Sequence, residues 1–209
     1  YLSMLKAALN ETNEIIKNVE IEVNFYDSSF IDSKYLPSPI ERLKIYRKNS
    51  LSVNSWGLLL KKVNKNINKK FNNLTIQMKT DYAKIKKVWP KKLPMGIIHC
   101  DLFLDNIFFY KGRFHGFIDF YFSSNDYYAY DLAICVNALC FNKKNSNFVM
   151  NNKKSSSLLN GYQTVRKLTK LEKNSFNTLC KGSALRYLLT RSYDCLLYTS
   201  PSPRDVNRS

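Results

Sequence analysis

The side chains able to do chemistry crowd into one stretch, Gly96 to Asp119. It reads Gly-Ile-Ile-His-Cys-Asp-Leu-Phe-Leu-Asp-Asn-Ile-Phe-Phe-Tyr-Lys-Gly-Arg-Phe-His-Gly-Phe-Ile-Asp and contains His99, Asp101, Asp105, Asn106 and Asp119. Asp101 and Asn106 form D-x-x-x-x-N behind a histidine, and a further carboxylate follows at Asp119. Transfer of a phosphoryl group from a nucleotide needs such a set. One carboxylate orients the acceptor hydroxyl and takes its proton, while an amide oxygen and a second carboxylate hold magnesium ions against the phosphates. Asp101 fits the first task, and Asn106 and Asp119 the second. In the protein-kinase layout the base and the Asn share a loop and the metal Asp opens D-F-G; here that place reads Asp119-Phe120-Tyr121. Any single Asp or Asn could merely close a turn. The combination at this spacing is what singles out the chemistry.

The elements that must position these residues follow from the flanking text. The apolar runs 97–98, 107–110 and 114–118 predict strands, with Lys111-Gly112 as the tight turn between the last two. The reactive groups then sit in a loop or at strand ends, carried by a rigid hairpin. Upstream, residues 51–63 predict a helix with Trp56, Leu59, Leu60 and Val63 toward a core. Residues 71–88 predict a clearer one, because Phe71, Leu74, Met78, Tyr82 and Ile85 recur at three- and four-residue steps. Pro90 and Pro94 end that helix and launch the hairpin. Residues 1–17 also read as helical, and 18–47 as mixed text with a turn at Pro37-Ser38-Pro39.

Downstream, residues 123–126 read as a polar loop and 127–141 as a buried helix with Asp131 inside it. Residues 142–157 read as a second polar loop and 158–165 as a short helix. Thr169-Lys170-Leu171-Glu172 is a capping box. It opens a last long helix whose apolar positions are Phe176, Leu179, Cys180, Ala184, Tyr187 and Leu188. After Asp194 the Ser/Pro text reads as unstructured, so 195–209 is set aside as a non-native or disordered tail.

Composition narrows the class. At 209 residues, with 44% hydrophobic and 14% aromatic side chains, the chain can build one good core. No apolar run is long enough to cross a bilayer and no signal-peptide pattern opens the chain. The five cysteines, Cys100, Cys135, Cys140, Cys180 and Cys195, are widely spaced in apolar text and read as reduced thiols of a cytoplasmic protein. No Cys/His spacing points to zinc. A net charge of +17 raises nucleic-acid binding as a rival. The basic residues are mostly Lys scattered through Asn- and Ile-rich text, which argues for compositional bias over a recognition surface.

His-x-Asp-x-x-x-x-Asn followed by Ile-Asp-Phe resembles the aminoglycoside phosphotransferase and choline kinase superfamily, which shares the protein-kinase fold. The flanks are most similar to its homoserine kinase branch. These are Leu93-Pro94-Met95-Gly96-Ile97-Ile98-His99, Ile118-Asp119-Phe120-Tyr121-Phe122, Tyr130-Asp131-Leu132-Ala133-Ile134, Asn137-Ala138-Leu139-Cys140-Phe141, Gly161-Tyr162-Gln163 and Ala184-Leu185-Arg186-Tyr187-Leu188-Leu189-Thr190-Arg191. The resemblance runs from about residue 1 to about Asp194. Cys100 and Leu104 stand where Ala and Pro are expected, and Leu139 where Trp is; none of these removes a side chain that the chemistry needs.

The resemblance implies an α+β, protein-kinase-like fold, here the mainly α-helical C-terminal lobe (1–194) with its catalytic β-hairpin. It implies ATP and Mg2+ as cofactors and homoserine as the acceptor, with choline- or aminoglycoside-type alcohols as alternatives. His99 would position Asp101, Asp105 would brace the loop, and Asp131 would brace it from the following helix through backbone N–H groups or His99. Asp126, Arg186 and Arg191 become candidates for the acceptor's ammonium and carboxylate. Arg186 and Arg191 are about 140° apart around a helix, so both are not expected on one ligand; Arg191 is favoured, with an ion pair to Asp194 as its alternative. No Gly-rich loop and no strand-borne Lys precedes residue 95. The nucleotide lobe is therefore expected to be absent from this sequence, and the chain alone to be an inactive fragment or a binding-only remnant.

Overall fold

A computed structural model describes residues 47–67, 73–145 and 147–198. The readings made for residues 1–46 and for Phe71 lie outside these. The described chain is mostly helical with short antiparallel strand pairs. Its order is α1 (Val53–Ile67), α2 (Leu74–Val88), β1 (Met95–Ile98), β2 (Ile107–Tyr110), β3 (Arg113–Phe117), β4 (Ser124–Tyr127), α3 (Tyr128–Leu139), β5 (Phe141–Lys144), β6 (Asn147–Met150), α4 (Asn152–Val165) and α5 (Lys170–Tyr198).

The helices form where the apolar period predicts them. Trp56, Leu60 and Val63 of α1 and Met78 and Ile85 of α2 are buried, with Leu59, Leu74 and Tyr82 packed against them. Helix α2 stops at Val88 because Trp89 precedes a proline and takes an extended conformation (φ −60°, ψ 130°). The capping box forms in full: Thr169 Oγ1 accepts the Glu172 N–H at 3.2 Å, and Glu172 Oε2 accepts the Thr169 N–H at 2.8 Å. Glu172 is fully buried and also pairs with Arg166 at 2.9 Å, so neither its charge nor its lone pairs are left alone.

The hairpin β2–β3 turns at Lys111 (φ 48°) and Gly112 (φ 71°). Positive φ at both central residues is the turn geometry whose twist matches the flanking strands. The polar segment 123–126 is not a loop. Ser124–Tyr127 is strand β4, antiparallel to β1 with Ile98 opposite Ser124 and Gly96 opposite Asp126. Its low strand propensity is overridden by the tertiary pairing. Residues 142–157 are not a loop either. They hold the β5–β6 hairpin, turning near Asn145 (φ 56°), and the start of α4, capped by Asn151 Oδ1 on the Lys154 N–H at 3.1 Å.

Helix α5 presents a different face from the one its apolar residues suggest. Leu179, Gly182, Ser183, Leu185, Arg186 and Leu189 are buried, while Ala184 and Leu188 are exposed. The reason is the bulk facing it. Trp56, Trp89 and Tyr130 stack edge to face at 5.2 and 5.5 Å between centroids. A Cβ at position 182 would lie 2.3 Å from the Trp89 ring, so only glycine lets the helix close on the indoles. Gly182→Ala should therefore destabilise the chain by about 1–3 kcal/mol despite alanine's better helix propensity. Urea unfolding measures it, and equal or greater stability would show that the indoles can shift aside.

Candidate active site

The loop between β1 and β2 is wired from below by Asp131. Its Oδ2 accepts the His99 N–H at 3.0 Å and its Oδ1 accepts the Cys100 N–H at 2.8 Å, all within the core. Cys100 takes a left-handed conformation (φ 67°), which a non-glycine residue adopts only when its surroundings impose it. The same carboxylate, after burial itself, pushes the Cys100 thiol well above its ordinary range. Cys100 Sγ lies 3.2 Å from Ser124 Oγ, tying the loop to β4.

His99 joins the loop to the hairpin. Its Nε2–H donates to the carbonyl of Ile118 at 2.9 Å, and its Nδ1 accepts the Asp101 N–H at 3.3 Å. The ring packs on Phe120 with centroids 4.7 Å apart. Asn106, at the end of a short 3-10 turn (Leu104–Asn106), donates its Nδ2–H to the Asp101 carbonyl at 2.7 Å. A carbonyl can only accept, so the amide nitrogen must face it and Oδ1 must face away. The Asn106 carbonyl accepts the Ile118 N–H at 3.1 Å, which places Asp119 one residue beyond Asn106's own partner.

Asp119 is exposed and left-handed (φ 56°, ψ 68°), and its Oδ1 accepts the Tyr121 N–H at 3.3 Å. The bonds to Ile118 thus tie the backbone beside Asp119 to His99 and Asn106, and Asn106 in turn holds Asp101. Asn106 Oδ1 and the Asp119 carboxylate are hard oxygen donors of the type magnesium takes. Among the described residues there is no cluster of three or more His, Cys, Asp or Glu suited to a metal.

Asp101 is held from the far side by α5. Tyr187 Oη donates to Asp101 Oδ1 at 2.8 Å, and Arg186 Nη2 lies 4.0 Å from the same oxygen. Arg186 Nη1 donates to the Cys100 carbonyl and to Tyr187 Oη. Burial pushes the Tyr187 hydroxyl far up, so it stays a donor. Burial alone would lower the Arg186 guanidinium, but Tyr187, Tyr130, Cys100 and Asp101 outweigh it and hold the cation above its ordinary value.

Some expected roles are not met. Asp105 is exposed and makes no side-chain hydrogen bond among the described residues, so it does not brace the loop; Asp131 and Asn106 do. Arg191 is exposed and pairs with neither Asp194 nor any other described carboxylate. Arg186 is committed to the loop rather than free for an acceptor. Asp126 already accepts from Asn49 Nδ2 at 2.7 Å and from the Tyr127 N–H at 2.8 Å, and burial pushes it up against those bonds. It borders a cleft of about 650 Å³ with Lys48, Asn49 and Lys86, whose lining does not include Asp101, Asn106 or Asp119. Sequence reading missed Tyr187 as a partner of Asp101. The available signal was a charged residue, Arg186, beside it in an otherwise apolar run.

Residues 67–167 match the model of the phosphotransferase enzyme family. Over this part of the chain the resemblance read from the motifs holds. The chain is similar to homoserine kinases in particular. It is 45% identical over 157 residues to that of Rhizobium meliloti (strain 1021), covering 75% of this chain and 47% of that protein. It is 43% identical over 157 residues to that of Sinorhizobium fredii, covering 75% and 47%. It is 43% identical over 162 residues to that of Agrobacterium fabrum, covering 78% and 49%. The chain spans about half the length of the curated relatives it matches.

Asp131→Ala should orphan two buried N–H groups and destabilise the chain by about 2–6 kcal/mol. A shift of the urea midpoint at unchanged slope is the measurement; a loss below about 1 kcal/mol would mean that water takes over the carboxylate's place.

Proposed function

We propose that this chain is the mainly helical C-terminal lobe of an ATP-dependent kinase that phosphorylates the hydroxyl of L-homoserine, giving O-phospho-L-homoserine. The observation that carries the reading is the Asn106 amide. Its nitrogen is locked onto the Asp101 carbonyl, so one loop presents a carboxylate and an outward amide oxygen, with the Asp119 carboxylate next along the hairpin. That is the donor set phosphoryl transfer requires. The similarity to homoserine kinases supplies the acceptor, and with it a place in threonine biosynthesis.

Asp101 is the base that orients the acceptor hydroxyl and receives its proton. Asn106 Oδ1 and Asp119 would hold magnesium, which when bound neutralises charge on the phosphates. His99 keeps Asp101 and the hairpin in register. The nucleotide lobe is assigned to sequence outside residues 1–194; of the expected tail, residues 195–198 instead continue helix α5, and 199–209 lie outside the described residues. The chain alone should turn nothing over, since transfer depends on clamping the β- and γ-phosphates. A cytoplasmic location is part of this proposal; among the described residues no helix is long and apolar enough to cross a membrane.

In the full-length enzyme, Asp101→Asn should lower kcat by about 10²–10⁴ with an unchanged circular dichroism spectrum. Near-wild-type turnover would remove Asp101 from the reaction, and preference for choline or an aminoglycoside over homoserine would replace the acceptor. Asp119→Ala should raise the Mg2+ concentration for half-maximal rate at least about tenfold. An unaltered Mg2+ titration would show that the metal is held elsewhere.

A further inference from the structure

We propose that Tyr187 and Arg186 form a positioning clamp on one oxygen of Asp101, leaving Oδ2 as the atom that takes the acceptor's proton; this rests on the reading of Asp101 as the base. The Tyr187 hydroxyl lies 2.8 Å from Asp101 Oδ1 and 3.2 Å from the Cys100 carbonyl. It has one proton to give. The Cys100 carbonyl already accepts from Arg186 Nη1, and a carboxylate is the stronger acceptor at the shorter distance, so the proton goes to Oδ1. Arg186 Nη1 in turn donates to Tyr187 Oη at 2.9 Å, which fills the hydroxyl's acceptor side and fixes its rotation.

The clamp is rigid as well as polar. The Tyr187 ring lies between Phe103 of the loop, edge to face at 4.7 Å, and the Arg186 guanidinium, 4.5 Å from its centroid. Arg186 is 3% exposed, and its Nε has no partner among the described residues. A buried cation with an N–H unmet is costly to stability. Its other nitrogens all face the loop, so the cation serves the loop's geometry rather than the packing of α5.

The consequence is an asymmetric carboxylate. Oδ1 takes Tyr187 and faces Arg186, whereas among the described residues Oδ2 has only the Asn106 Nδ2–H at 3.5 Å, the outer limit of a hydrogen bond. The hydroxyl proton of the acceptor passes to Oδ2 as its oxygen bonds to the γ-phosphorus. The bond from that phosphorus to the bridging oxygen breaks, and its electron pair leaves with the nucleoside diphosphate.

The test uses the full-length enzyme. Tyr187→Phe removes the hydroxyl and keeps the ring. It should lower kcat about 10- to 100-fold, with KM for homoserine and ATP within about twofold and melting temperature nearly unchanged. In single-turnover reactions Tyr187→Phe should cause no further loss once Asp101 is Asn, because the hydroxyl acts through that carboxylate. Arg186→Lys should also lower kcat with KM preserved, since an ammonium lacks the planar fork that spans Cys100 and Tyr187. Unchanged kcat in Tyr187→Phe, or an equal loss in the Asp101→Asn background, would overturn the clamp. Full activity in Asp101→Asn alone would overturn the role of Asp101 itself.

Discussion

Two buried N–H groups, those of His99 and Cys100, end on one carboxylate, and the rest of the site hangs from that junction. Asp131 is 0% exposed and sits in the first turn of α3, where the helix dipole favours a negative charge. An unpaired carboxylate could not stay there. By accepting both N–H groups it turns the chain sharply at Cys100 (φ 67°), and that turn brings Asp101 out of β1 toward the loop face. The left-handed residue and the buried acid support one another: the acid accepts both N–H groups of the turn, and the turn supplies two of the acid's donors.

A second set of contacts keeps the hairpin from swinging away. His99 holds the Ile118 carbonyl, and Asn106 holds the Ile118 N–H through its own carbonyl. Both backbone groups of the residue before Asp119 are therefore fixed by residues of the 99–106 loop. Asp119 can then be exposed, and bonded among the described residues through one oxygen, while its backbone stays tethered. Loops that must present charged groups to a ligand need this kind of backbone tether, because the side chains cannot be immobilised by packing.

Helix α5 supplies the back wall. Its buried face runs through Gly182, Ser183 and Arg186, which is small, then polar, then charged. Each departs from what a helix packed on a core would ordinarily carry. Gly182 seats the Trp89 ring, and Arg186 reaches the carbonyl that the Cys100 turn leaves exposed to it. The wall is shaped by the aromatic cluster at one level and by the 99–106 loop at the next.

The chemistry-bearing spacing from His99 to Asp119, the helical stripe of α2, the Lys111-Gly112 turn and the capping box at Thr169 are legible in the amino-acid text alone. All of these are local: their information lies within a turn, a helical period or a single hairpin. The pairing of β4 with β1, the β5–β6 hairpin and the polar start of α4 were decided by tertiary structure, because polar text has no period to announce a strand or helix until a partner takes up its backbone groups. The choice of Arg186 over Arg191, and the hydroxyl of Tyr187 on Asp101, join residues 86 apart in the chain. Asn49 meets Asp126 across 77 residues, which turns an expected ligand-binding acid into one already engaged within the protein. Local periodicity says which face of a helix is apolar. It cannot say which turn of that helix will stand opposite a loop whose carbonyl and carboxylate need a cation and a hydroxyl; only the packing of α5 against α3 and the loop sets that register.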